Sequence, residues 1–183
     1  CPLITTIPNL KSLEILNCSE CYTLTTIPII EELEELNCYD CPLLSSIPNI
    51  KGLQVLKCSN CPSIVNIPII EGLYELDCYA CPLITSIPNI EGLKALDCAR
   101  CSLLITIPNI EGLTYLDCSD CPLLNIIPNI SELEYDNNLL KLPFKNSKYL
   151  ISSKIERLYN NIYSLWKHYK LNKYILYLEK KYY

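Results

Sequence analysis

Cysteine is the residue type whose spacing first suggests chemistry in this chain. Its 13 copies fall in two columns that each repeat every 20 residues. The columns combine six times into the pair Cys-x-x-Cys, the spacing at which zinc sites hold two of their four ligands. The first cysteine column is Cys18, Cys38, Cys58, Cys78, Cys98 and Cys118, and the second cysteine column is Cys1, Cys21, Cys41, Cys61, Cys81, Cys101 and Cys121.

Three fates are open to these thiols, namely a zinc site, disulfides, or burial as free thiols. Both columns fall at apolar positions of a repeat, where Cys behaves as a small hydrophobe, so we predict buried free thiols and no metal. Neighbours in one column of a parallel sheet lie about 4.8 Å apart, which is within disulfide range, so geometry leaves disulfides open. No signal peptide is visible, and 13 thiols suit a reducing compartment, so we expect a cytoplasmic protein without a cofactor.

The repeats themselves are the elements that must position the thiols. Residues 81–100 read CPLITSIPNIEGLKALDCAR, and this skeleton recurs every 20 residues, which predicts a solenoid. Leu96 and Cys98 alternate with Asp97, as in a short strand with one face inward. The apolar residues that follow are spaced by three, which indicates a compact turn or 3₁₀ segment, and a proline then prevents a helix. A glycine such as Gly92 marks the bend before each strand in four repeats.

The motif written across two coils is L-x-x-L-x-C-x-x-C-x-x-[LI]-x-x-I-P, which resembles the leucine-rich repeat. Its second cysteine occupies the position that usually holds Asn or Cys. The 20-residue period and the segment I-P-N-I-E-G-L are similar to the short bacterial-type class of YopM-like secreted effectors, although Ile replaces most of the leucines there. The resemblance covers residues 1 to about 143. It implies an α/β-type repeat solenoid, a horseshoe or coil with a parallel sheet on its concave face and an irregular or 3₁₀ convex side.

Charge and pattern divide the chain into two predicted domains. Residues 1–143 form a leucine-rich repeat solenoid of about seven coils, the last one degenerate, and residues 144–183 form a basic, Tyr-rich helical cap whose apolar stripe begins at Ile151. Residues 1–140 carry a net charge of −13, whereas residues 141–183 carry +8. The cap either covers its own solenoid or contacts another chain. Because the chain begins in register with a repeat and contains no Met, we also expect residues upstream.

The sequence offers little for catalysis. His168 is the only histidine, and it lies in the predicted cap with no nucleophile placed beside it. Effector ubiquitin ligases carry a catalytic domain with a nucleophilic Cys after their repeats, but residues 122–183 contain no Cys. We therefore predict no catalytic residue and no enzyme activity.

The concave face of the predicted sheet offers a binding site instead. One column of outward side chains, called the central column here, holds positions 17, 37, 57, 77, 97 and 117, and its last three residues are aspartates. Carboxylates stacked about 4.8 Å apart repel one another, so a basic partner would relieve them. Tyrosines nearby suit interface anchors. The predicted binding residues are Asp77, Asp97, Asp117, Glu35, Glu75, Tyr39, Tyr74, Tyr79 and Tyr115.

The favoured function is a non-enzymatic protein–protein interaction scaffold that binds a partner with a basic surface through this acidic face. The use of Ile, Asn, Lys and Tyr suggests an AT-rich genome, and the Cys-bearing repeats look like those of giant-virus proteins. This likeness favours a viral or effector host-interaction factor, placed in the host cytoplasm or virion. The alternatives are a self-assembling or virion-associated structural protein that stacks through its solenoid ends as a homo-oligomer, and a substrate-recruiting arm of a ubiquitin ligase. Nucleic acid and membrane partners are not favoured.

Overall fold

The computed structural model of the chain describes residues 3–8 and 10–125. All of these residues belong to one compact unit, Cys1–Pro143. The predicted helical cap and the degenerate last repeat beyond residue 125 lie outside the described residues, so the domain boundaries stay predictions. Within the described part, no helix is long and apolar enough to cross a membrane.

In the part of the chain that the structure describes, six short strands form one parallel sheet whose order follows the sequence. Each strand has three residues and pairs with the next strand in a register shifted by one repeat, so that Leu56 lies opposite Leu76. This arrangement confirms the predicted parallel sheet of a repeat solenoid. The strands are β1 (Ile15–Asn17), β2 (Glu35–Asn37), β3 (Val55–Lys57), β4 (Glu75–Asp77), β5 (Ala95–Asp97) and β6 (Tyr115–Asp117).

The core is a stack of similar apolar layers, one from each coil. The middle residue of a strand points inward, so Leu36, Leu56 and Leu76 are fully buried, and the cysteines that follow are buried with them. One coil alone cannot bury these side chains, and its neighbours above and below complete the core. Burial of each leucine contributes about 1.5–3 kcal/mol, so the column of leucines fixes the register of the sheet.

Two left-handed backbone positions in each coil close the turns around a strand. The first precedes the strand and is held by Gly92 in the fifth coil, where φ is 87°, as the sequence predicted. The second follows the strand and is held by a residue with a side chain, such as Arg100 with φ of 56°. A turn closed by the hydrogen bond from the Leu104 N–H to the Cys101 carbonyl comes next, and the chain then runs back irregularly along the far side.

Candidate functional site

The cysteines serve the fold. Twelve described cysteines, from Cys18 to Cys121, are buried, and none of these twelve forms a disulfide. Each thiol of the second cysteine column from Cys41 onward donates a hydrogen bond to a backbone carbonyl of the preceding coil, as Cys61 Sγ does to the Cys38 oxygen at 3.1 Å. The same bond recurs from Cys41, Cys81, Cys101 and Cys121 at 3.1–3.3 Å. The second column therefore joins neighbouring coils through the core.

Hydrogen bonds with Cys38 and Cys78 lower the pKa of Cys61 and Cys101, whereas burial keeps several of the other thiols protonated. It raises the pKa of Cys18 to about 12 and that of Cys41 to about 11, and it raises the pKa of Cys98 well above its ordinary value. The thiolate is the form that attacks electrophiles and binds metals, so a raised pKa opposes both reactions. Among residues 3–8 and 10–125, no group of three or more Cys, His, Asp or Glu side chains could hold a metal ion.

The central column has a structural role that the sequence analysis missed. In five coils the Oδ1 atom of its Asn or Asp accepts the backbone N–H two residues further on. The acceptors are Asn17, Asn37, Asp77, Asp97 and Asp117, at distances of 2.9–3.1 Å. This bond is an Asx-turn, and it orders the bend that leaves each strand. Each aspartate of the central column therefore has a backbone hydrogen bond in addition to its place on the acidic face.

Asp97 lies at the centre of the acidic part of the column. Burial raises its pKa to about 6, and repulsion from Asp77 and Asp117 acts in the same direction. The hydrogen bond from the Ala99 N–H lowers the pKa but does not offset these two effects. The carboxylate is thus mostly ionised at pH 7.5, in surroundings that disfavour its charge.

Lys57 interrupts the column and is the one position in it without an acceptor among the six coils described. Its Nζ lies 3.8 Å from Glu35 Oε1 and 3.7 Å from Glu75 Oε1. Two of the predicted binding carboxylates are therefore already paired with a cation of the sheet itself. All three side chains are more than a third exposed, so each pair contributes little to stability.

The predicted tyrosines divide into one strand residue and three flanking residues. Tyr115 lies in β6 and is 43% exposed, while Tyr74 immediately precedes β4 and is 54% exposed. Tyr39 and Tyr79 lie in the turns that follow β2 and β4, and Tyr39 is 40% exposed. The guanidinium of Arg100 lies 5.5 Å from the ring centre of Tyr79. The tyrosines thus border the exposed face of the sheet from both ends of the strands.

A depression in this face brings four of the predicted residues together. It has a volume of about 240 Å³ and lies where Ala95 stands between larger side chains of the neighbouring strands. We call it the Ala95 notch. Sequence reasoning named its acidic and aromatic walls but missed Ala95, although Ala95 is the smallest side chain in its column. The lining residues are Glu75, Leu76, Asp77, Ala95, Asp97 and Tyr115.

Comparison with known proteins agrees with the fold. The family model for the Leucine Rich Repeat matches residues 112–133. A search of curated proteins and a search of solved structures each found no match. The likeness to YopM-like effectors and the viral origin consequently stay predictions. The family match at residues 112–133 and the six parallel strands that recur every 20 residues both support a leucine-rich repeat fold for the described part of the chain.

Proposed function

We propose that the chain is a non-enzymatic binding scaffold that holds a partner protein with basic side chains on the face of strands β4–β6. Leucine-rich repeats typically mediate protein–protein interaction and generally serve as scaffolds without catalysis. The fold thus supports binding in general. The acidic side chains on the face of strands β4–β6 support a partner with basic side chains.

The observation that carries the proposal is the exchange of Asn for Asp within the central column. Asn17 and Asn37 accept the same backbone hydrogen bond as Asp77 and Asp97, at the same distance within about 0.1 Å. The side-chain hydrogen bond at this turn therefore requires an oxygen acceptor but no charge. The aspartates repel one another, and asparagine at the same positions would remove this repulsion. A cationic partner would also relieve it, so binding such a partner would explain why the positions are charged.

The face around these aspartates supports the same partner. Strands β4–β6 carry four carboxylates and no basic residue, while Tyr74 and Tyr115 offer exposed aromatic surface beside them. Tyrosine and arginine are enriched where interfaces concentrate their binding energy. Acidic and aromatic groups on one face suit a partner surface rich in Arg or Lys.

Affinity capture from cell lysate under reducing conditions tests the proposal with three forms of the chain. The first is wild type, and the second is the triple variant D77N/D97N/D117N, which keeps the turn acceptors and loses three charges. The third is E71Q/E91Q/E111Q, which makes the same change in net charge at exposed turn positions outside the strands.

The proposal predicts partners that wild type and the turn variant both capture and the Asn variant loses. Equal capture by all three forms would contradict it and move binding to another surface. Capture of the chain alone by wild type would favour self-assembly instead. Salt should weaken a specific complex, because its ion pairs lie near the protein surface.

A further inference from the structure

The shape of the Ala95 notch follows from the register of three strands. Glu75, Ala95 and Tyr115 lie opposite one another on β4, β5 and β6. Strands lie about 4.8 Å apart, so the outer two residues are about 10 Å apart at Cα with only a methyl group between them. The result is a slot with a carboxylate on one side and a phenol ring on the other.

The negative charge on the walls of the Ala95 notch favours a cationic ligand. Asp77 and Asp97 line the slot beside Glu75, and no Lys or Arg is among its lining residues. Lys57 approaches Glu75 from β3, and its ammonium is shared between Glu75 and Glu35. Tyr115 presents an exposed ring on the far side, and aromatic rings attract cations to their faces.

The spacing of the carboxylates separates the candidate cations. A metal ion needs its oxygen ligands at about 2.0–2.6 Å, and in the described part of the chain no three acidic side chains converge closely enough to supply them. An ammonium is a compact point charge with three donors, and it has no planar surface that could stack on an aromatic ring. A guanidinium is planar, carries five N–H donors on its edges and stacks on aromatic rings, so it can contact two aspartates and the ring together.

We propose that the Ala95 notch receives an arginine side chain of the partner, inserted between Glu75 and Tyr115 and hydrogen-bonded to Asp77 and Asp97. This inference rests on the proposed function and makes it specific. Ala95 is the specificity-determining residue, because a larger side chain at this position would fill the slot without changing the charge.

An NMR titration with three short peptides tests the notch on the full chain. The peptides are acetyl-Gly-Ser-X-Ser-Gly-amide, with X as arginine, lysine or citrulline, the last being neutral and nearly the same shape as arginine. We expect the arginine peptide to shift the backbone amide signals of Ala95, Asp97 and Tyr115 in the millimolar range. The lysine peptide should bind about threefold to fivefold more weakly, and the citrulline peptide should cause no shift.

Two variants at matched positions provide the controls. Ala95→Ile fills the slot and should abolish the arginine-specific shifts, and its fold is safe because Ile15 and Val55 occupy the same column. Val55→Ala opens a similar gap beside Lys57, where an arginine should gain nothing. Equal binding of arginine by the Ala95→Ile variant, equal affinity for lysine and arginine, or no shift up to about 10 mM would each overturn the inference.

The two proposals fail in different ways. If a partner captured from lysate is lost by D77N/D97N/D117N but kept by Ala95→Ile, the acidic face binds it and the arginine notch is wrong. If both variants lose the partner while E71Q/E91Q/E111Q keeps it, both proposals are supported. If neither variant loses it, binding occurs elsewhere and both are wrong.

Discussion

The first three and the last three strands of the sheet share one core but present different faces. In β1–β3, the neutral half, the strand residues carry one negative and one positive charge, Glu35 and Lys57, which lie 3.8 Å apart. In β4–β6, the acidic half, the strand residues carry four negative charges and no positive one. These are Glu75, Asp77, Asp97 and Asp117.

The difference separates what the fold requires from what it only tolerates. Both halves bury leucine and cysteine at the same positions, and both close their turns with an Asx oxygen except where Lys57 stands. Asn37 and Asp97 are therefore equivalent for the turn and different for a partner. In the acidic half, the ionised form of Asp97 is destabilised. Burial raises its pKa to about 6.

The largest expected effect tests the shared part of the comparison. Leu36→Ala and Leu76→Ala each remove a fully buried side chain from the same layer position, one in each half. Each substitution should lower the free energy of unfolding by about 2–5 kcal/mol, and the two losses should agree within about 1 kcal/mol. Urea unfolding followed by circular dichroism measures both. A much smaller loss in one half would show that the two cores are not equivalent.

The next effect concerns binding by the two halves. An eight-residue peptide of alternating Arg and Ser should bind wild type at low salt, and D77N/D97N/D117N should weaken it about tenfold or more, since each exposed ion pair contributes up to about 1 kcal/mol. The reverse exchange, N17D/N37D, should give the neutral half an acidic face and strengthen binding by up to about fivefold. Calorimetric titration measures both changes, with E71Q/E91Q/E111Q as the charge-matched control. An unchanged affinity in the first variant would contradict the account.

A smaller effect links stability to pH in the acidic half. The folded pKa of Asp97 is about 6, above its ordinary value of 3.8, so ionisation of this group lowers stability as pH rises through that interval. Asp97→Asn keeps the acceptor and removes the cost, so it should stabilise the chain at pH 7.5 by about 1 kcal/mol after allowance for solvent screening. Near pH 4 the difference should vanish, because the carboxyl is then protonated in the fold. Urea unfolding at both pH values checks this, and destabilisation at pH 7.5 would be the opposite result.

The smallest effect concerns the coil that lacks an Asx acceptor. Lysine has no acceptor atom, so the turn after β3 lacks the side-chain bond found in its neighbours, and the same turn holds the buried Ser59 hydroxyl without a hydrogen-bond partner. Lys57→Asn should supply the acceptor and stabilise the chain by about 0.5–1 kcal/mol. Lys57→Ala removes the same charge without an acceptor and should change stability by less than about 0.5 kcal/mol. Equal effects of the two variants on thermal unfolding would rule out the missing bond as the cause.

The repeat made the framework of the fold predictable. A strand side chain alternates with period two and the motif returns every 20 residues, so the columns of the sheet followed from spacing alone, and the register of Leu56 with Leu76 confirms them. The contacts of Lys57 were not predictable, because its long side chain can reach carboxylates on either neighbouring strand, and it contacts both Glu35 on β2 and Glu75 on β4. The Asx-turns left a signal, Asn or Asp two residues before a bend, which was interpreted only as surface charge. The Ala95 notch depends on the neighbours of a small side chain across strands, so it required the packed sheet.

The central claim is that the Asx oxygen stabilises the turns whether or not it is charged, and that the charge serves the partner. Urea unfolding of D77N/D97N/D117N beside wild type at pH 7.5 tests it most directly, because the variant changes charge and keeps every acceptor. The account predicts a free energy of unfolding equal to or above that of wild type, together with weakened binding of the basic peptide. A variant less stable than wild type by more than about 1 kcal/mol would show that the charges serve the fold, and would contradict the claim.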